Sequence, residues 1–169
     1  MNRSRVVIAL VAVVIALVIQ TTVFAEGRIQ PLGVAPALVT LIVILVAPYI
    51  DPEYHLLLGF TAGILMDLVG SGTLGLWAMS LTSVAYGSSR LRHRFVQGPL
   101  FIGALVVGLT ALGQIIFIVV STLFGQNTIA EPQLLSKVLL PTLWNLILAF
   151  PILWILKISF KPTERGWAV

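Results

Sequence analysis

The sequence predicts an all-α integral membrane protein: a polytopic bundle of six transmembrane helices, with both termini in the cytoplasm. Three observations lead there. Of 169 residues, 59% are hydrophobic and only 9% charged, with a mean hydropathy of +1.07. Soluble domains run near 45–50% apolar and about 25% charged, and a globule of this size could not hide so much apolar surface from water. The apolar residues also fall into long runs separated by short polar breaks. At ~20 residues per crossing such a chain holds at most roughly six or seven spans, with no room for a sizeable extramembrane domain. Finally, Lys and Arg are distributed unevenly among those breaks. The expectation is one transmembrane domain over 1–169, with spans near 6–25, 32–50, 54–70, 73–90, 99–124 and 134–158.

Each element has a local reason. Val6 to Phe24 follows Arg3 and Arg5 and precedes Glu26 and Arg28. Its basic start, with Val23 and Ala25 near a cleavage spacing, also fits a signal peptide. Its full length and the spans that follow favour a retained anchor. Leu32 to Ile50 opens at Pro31 and closes at Pro48 and Asp51-Pro52-Glu53; Pro36 falls in its first turn, where a missing N–H costs little. Tyr54 to Arg90 is too long for one helix and is broken at Gly70-Ser71-Gly72, which predicts two helices joined by a tight turn. Arg90, Arg92, His93 and Arg94 end that hairpin. Gly98-Pro99 starts the fifth helix, and Gly125-Gln126-Asn127-Thr128 turns the chain. The sixth helix contains Pro141 and Pro151, two expected kink sites that a bundle tolerates.

Orientation follows from the cations. With the N-terminus inside, Arg3, Arg5, Arg90, Arg92, Arg94, Lys157, Lys161 and Arg165 face the cytoplasm, against Arg28 and Lys137 outside. Cytoplasmic loops retain such an excess. A re-entrant hairpin at 54–90 gives the same distribution, so charge alone leaves six crossings and four plus a hairpin both open. The net charge of +4 and pI near 10.0 belong to this asymmetry. No nucleic-acid partner is expected, because the basic residues form no broad solvated stripe.

Asp67 is the acidic residue within a span. A carboxylate at the bilayer centre costs about 2.5–3.5 kcal/mol on insertion scales, so such a residue is paired or functional. Asp67 lies three residues before Gly70, near the outer surface. Gly59, Gly63 and Asp67 recur every four residues and share a helix face, and glycines so spaced let another helix approach closely. Three readings stay open: Asp67 caps the Gly70–Thr73 turn, contacts a partner, or couples to a proton or ion. Ala12 and Ala16 form a weaker small-residue pair on the first helix. Gln20, Gln114 and Asn145 suit interhelical hydrogen bonds, and Trp77, Trp144, Trp154, Tyr49 and Tyr54 suit an interfacial belt. Arg90, Arg92 and Arg94 form a basic loop suited to anionic headgroups.

Enzyme chemistry is not expected. A second carboxylate to face Asp67 is missing at depth, and Ser71 lies far from His55 and His93 on the predicted topology. There is no H-E-x-x-H motif, no cysteine and no strand-borne phosphate loop, and no cofactor or metal is implied.

The run Gly59-Phe60-Thr61-Ala62-Gly63-Ile64-Leu65-Met66-Asp67-Leu68, followed by Gly72-Thr73-Leu74-Gly75-Leu76-Trp77-Ala78, resembles the MreD family of bacterial rod shape-determining membrane proteins. The layout resembles it over nearly the whole chain, the motif over Gly59 to Ala78 alone. It departs at Val34-Ala35-Pro36-Ala37, where many relatives carry an acid after the proline. The resemblance implies a non-catalytic scaffold of the cell-wall elongation machinery in the inner membrane. Its partner would be the transmembrane helix of MreC, and through it MreB, RodA and the transpeptidase partner of RodA. Gly59, Gly63, Asp67 and Gly75 would form the partner-packing face. The family also resembles the six-helix substrate-binding subunits of energy-coupling-factor vitamin transporters. There a small-residue motif on the first helix docks the transporter core, a spacing that Ala12-Val13-Val14-Ile15-Ala16 meets. A transporter subunit is therefore the alternative function.

Overall fold

The computed structural model describes residues 3–24, 33–70, 72–93, 98–126 and 134–160, with the side chain of Arg3 left out. All regular structure among them is helical: α1 (Arg3–Thr22), α2 (Leu38–Leu45), α3 (Pro52–Val69), α4 (Leu76–Arg90), α5 (Pro99–Leu123) and α6 (Leu134–Ser159). The stretch Ser4–Thr22 and helices α5 and α6 are each long and apolar enough to cross a bilayer. Large aliphatic and aromatic side chains such as Val7, Leu57, Phe60, Leu100, Leu123 and Trp154 cover the outside. An apolar exterior of this kind suits lipid as the surrounding solvent.

The main departure from the predicted spans is the second. The 32–50 run is helical only over eight residues, Leu38–Leu45, or about 12 Å of rise. Residues 34–37 are non-helical, and the helix gives way to turns before Pro48. All eight residues of α2 are buried, and α2 packs against each of the other five helices. The reason is in the composition, since Leu38-Val39-Thr40-Leu41-Ile42-Val43-Ile44-Leu45 has no polar face to turn outward. A segment apolar all round is stable at the axis of a bundle.

Around that axis α3 and α4 form the most extensively packed pair, followed by α4 with α5 and α5 with α6; α1 lies on α2 and α3. α3 begins as expected of its sequence, with Pro52 in the first turn and Glu53 at the positive end of the helix dipole. α6 runs through both Pro141 and Pro151 as one helix.

Long-range contacts define the two ends of the bundle. At one end Gln20 accepts a hydrogen bond from the Val39 N–H (3.1 Å) and contacts Met66 Sδ, while Gln126 donates to Thr73 Oγ1 (3.2 Å). At the other, Tyr49 stacks on Phe160 with ring centroids 4.6 Å apart, and His55 joins α3 to Val43 and Ser89. The start of α1 and the end of α6 therefore lie at the same end. In the core, Asn145 Nδ2 donates to Ala37 O (3.0 Å) and Thr110 Oγ1 (3.2 Å), tying α6 to α5 and to the non-helical lead into α2.

His55 is fully buried, with Nε2 2.7 Å from Val43 O and Nδ1 2.6 Å from Ser89 Oγ. A carbonyl only accepts, so Nε2 carries the proton given to Val43, and on a neutral ring Nδ1 accepts from the Ser89 hydroxyl. Val43 O lies where α2 is ending and its carbonyls lose helical partners. His55→Leu should cost about 1–3 kcal/mol by stranding that carbonyl. Unfolding in graded denaturing detergent, read by helical circular dichroism, would measure it.

Candidate functional site

The α3–α4 seam is where the sequence concentrates its unusual residues. Gly59, Gly63 and Asp67 lie along one face of α3, and His55 extends the same four-residue register downward. The occupant of that face is α4. A Cβ at Gly59 would sit 2.5 Å from Ala85 Cβ and 2.8 Å from Leu81 O. At Gly63 it would fall on Ala78 Cα and lie 2.5 Å from Trp77 O. Backbone thus meets backbone, the close approach that small residues four apart permit. The expectation that this face grips a second polypeptide is corrected here, since both glycines are already covered by the same chain.

At the upper end of the seam the Asp67 carboxylate receives three backbone N–H groups. Oδ2 accepts from Gly75 (2.9 Å) and Ala78 (3.1 Å), and Oδ1 from Trp77 (3.0 Å). These belong to the start of α4, whose first N–H groups have no partner within the helix. The carboxylate also sits at the positive end of the α4 dipole. With Asp67 only 5% exposed, the helix start supplies the compensation a buried charge requires. The turn-cap reading was right in kind and wrong in address, because the donors lie beyond Gly70–Thr73. Gly75 serves the same device. Its φ of +100° is a left-handed backbone that side-chain-bearing residues rarely adopt, and a Cβ there would meet nothing within 4 Å. Gly75 is thus required for its conformation.

This arrangement holds two helices together, and all the acid's observed bonds go to backbone donors. Trp77 packs its ring on Phe117 of α5, centroids 4.3 Å apart, so the start of α4 is clamped from a second side. Among the described residues, no three His, Cys, Asp or Glu side chains gather as a metal would need.

The other sequence-predicted residues lie apart from the seam. Half-buried Ala12 and buried Ala16 line a groove between α1 and α6. Arg90 donates from Nε to Tyr86 Oη (3.2 Å) and lies over that ring, at the exposed end of α4. Arg92 is exposed, and Arg94 lies outside the described residues. Gln20 and Asn145 make the interhelical bonds expected of them. Sequence reasoning missed His55, which it set aside as a distant titratable group. Its four-residue offset from Gly59 was the available signal.

The seam makes a graded prediction for substitutions. Gly63→Ala should cost more than about 3 kcal/mol, because overpacking here meets backbone that has no rotamer to change. Asp67→Asn should cost about 1.5–3 kcal/mol, since its amide turns N–H groups toward N–H groups. Gly108→Ala, whose Cβ would meet nothing within 4 Å, should be neutral or gain up to about 1 kcal/mol. Detergent-denaturation midpoints of the three variants check this order.

In a comparison with protein-family models, residues 2–158 match MreD, rod shape-determining protein MreD. Neither the curated proteins nor the solved structures contain a match. With nearly the whole length matched, the chain belongs to the MreD family of rod shape-determining membrane proteins.

Proposed function

We propose that this chain is a non-catalytic scaffold of the cell-wall elongation machinery, crossing the cytoplasmic membrane six times with both termini inside. It binds the transmembrane helix of MreC and so helps couple MreB to peptidoglycan synthesis by RodA and its partner transpeptidase. The observation that carries this reading is the family match over 2–158. The interior supports it, because the axis is filled by the buried α2, and Asn145 and Asp67 join helices at depth. Since α4 fills the Gly59–Gly63 seam, MreC meets the bundle on its outer surface.

The topology is supported by the ends of the bundle. The start of α1, the α2–α3 link, the end of α4 and the end of α6 belong to one end, and Arg5, Arg90, Arg92 and Lys157 among the described residues lie toward it. Helix α3 rises about 27 Å over its 18 residues and α4 about 22 Å over its 15, close to the ~30 Å hydrocarbon thickness once the connecting turns are added. The non-helical approach to α2 is compatible with membrane depth because Pro36 and Ala37 are buried in protein.

Two measurements test this. The chain has no cysteine, so single cysteines report cleanly. Gln126→Cys should react with an impermeant thiol reagent in intact cells, and Arg92→Cys only after lysis; the reverse pattern would invert the topology. Native mass spectrometry of the protein purified with MreC co-expressed should show both chains together. A vitamin-sized molecule in place of MreC would overturn the scaffold reading in favour of a transporter subunit.

A further inference from the structure

Among the described residues the bundle's wall has an open groove. Between α1 and α6 runs a groove of about 290 Å³, floored by Leu38 and Ile42 of α2. These two are among the least buried residues of an otherwise sealed helix, each 7% exposed. Its walls are aliphatic apart from Ser159, whose hydroxyl is already bonded to Ile155 O. Unlike the α3–α4 seam, it is not filled by any of the described residues.

The dimensions select the occupant. Along α1 the groove extends from Ile8 to Ile19, about 16 Å of helix axis at ~1.5 Å per residue. The hydrocarbon core is about 30 Å thick, so one leaflet is about 15 Å. That one-leaflet length and the almost wholly aliphatic lining match a single flexible hydrocarbon chain. Charge selects the rest. Arg5 lies one turn before Ile8 on the same face of α1, half-buried, and no hydrogen bond or ion pair engages it among the described residues.

On the membrane reading of this chain, we propose that the α1–α6 groove seats one acyl chain of an anionic phospholipid, with the headgroup phosphate on Arg5. The chain covers Leu38 and Ile42 and closes the bundle where protein does not. Ala12 and Ala16 keep the groove open, since larger side chains there would occupy it.

The test uses the full chain, purified in mild detergent, washed free of loose lipid and weighed by native mass spectrometry after titration with phosphatidylglycerol or phosphatidylcholine. One phosphatidylglycerol per chain should survive washing in the wild type. Ala12→Phe should lower that retained fraction at least tenfold. Arg5→Gln, at the start of α1 and away from the core, should keep its helical signal and lose most of the preference for phosphatidylglycerol. Equal retention in Ala12→Phe, an unchanged headgroup preference in Arg5→Gln, or a second polypeptide in the groove's place would each overturn the proposal. Failure of MreC to co-purify would leave these lipid measurements unaffected, so the two readings fail separately.

Discussion

The first backbone N–H groups of a helix have no partner within it, and this chain answers that constraint at α4 with one carboxylate. Asp67 reaches across the hairpin to the N–H groups of Gly75, Trp77 and Ala78. The bond network sets where α4 starts, and Gly63 sets how near it lies. Charge and close packing depend on each other here. Without the close approach the carboxylate would not reach its donors, and without the donors the buried acid would be an uncompensated charge.

The second organising feature is the burial of α2. A short helix touching all five others acts as a common core, and the polar groups exposed by its non-helical ends are taken up by neighbours. Val39 N–H goes to Gln20, Ala37 O to Asn145 and Val43 O to His55. Each of those side chains comes from a different helix, so satisfying one irregular segment ties α1, α3 and α6 to the centre. That is how an interrupted backbone becomes tolerable in a lipid-facing protein.

The chain belongs to a family of rod shape-determining membrane proteins, and its close-packed helices are the body on which the proposed assembly rests. The tightly filled α3–α4 seam and the open α1–α6 groove divide the bundle into a sealed half and an unfinished one.

Much of this was legible in the order of residues. Composition specified the solvent, proline and glycine marked the helix limits, and the four-residue spacing of Gly59, Gly63 and Asp67 announced a close-packed face ending in an acid. These are local or one-dimensional properties, set by φ/ψ preference, hydropathy and helical period. Which body covers that face is not local. Only the folded hairpin brings Ala78 and Ala85 onto the glycines and the α4 N–H groups onto Asp67, because that contact joins residues 8 to 26 positions apart. The same holds for α2, whose apolar run reads equally as a lipid-facing span or a buried axis until five other helices compete for its surface.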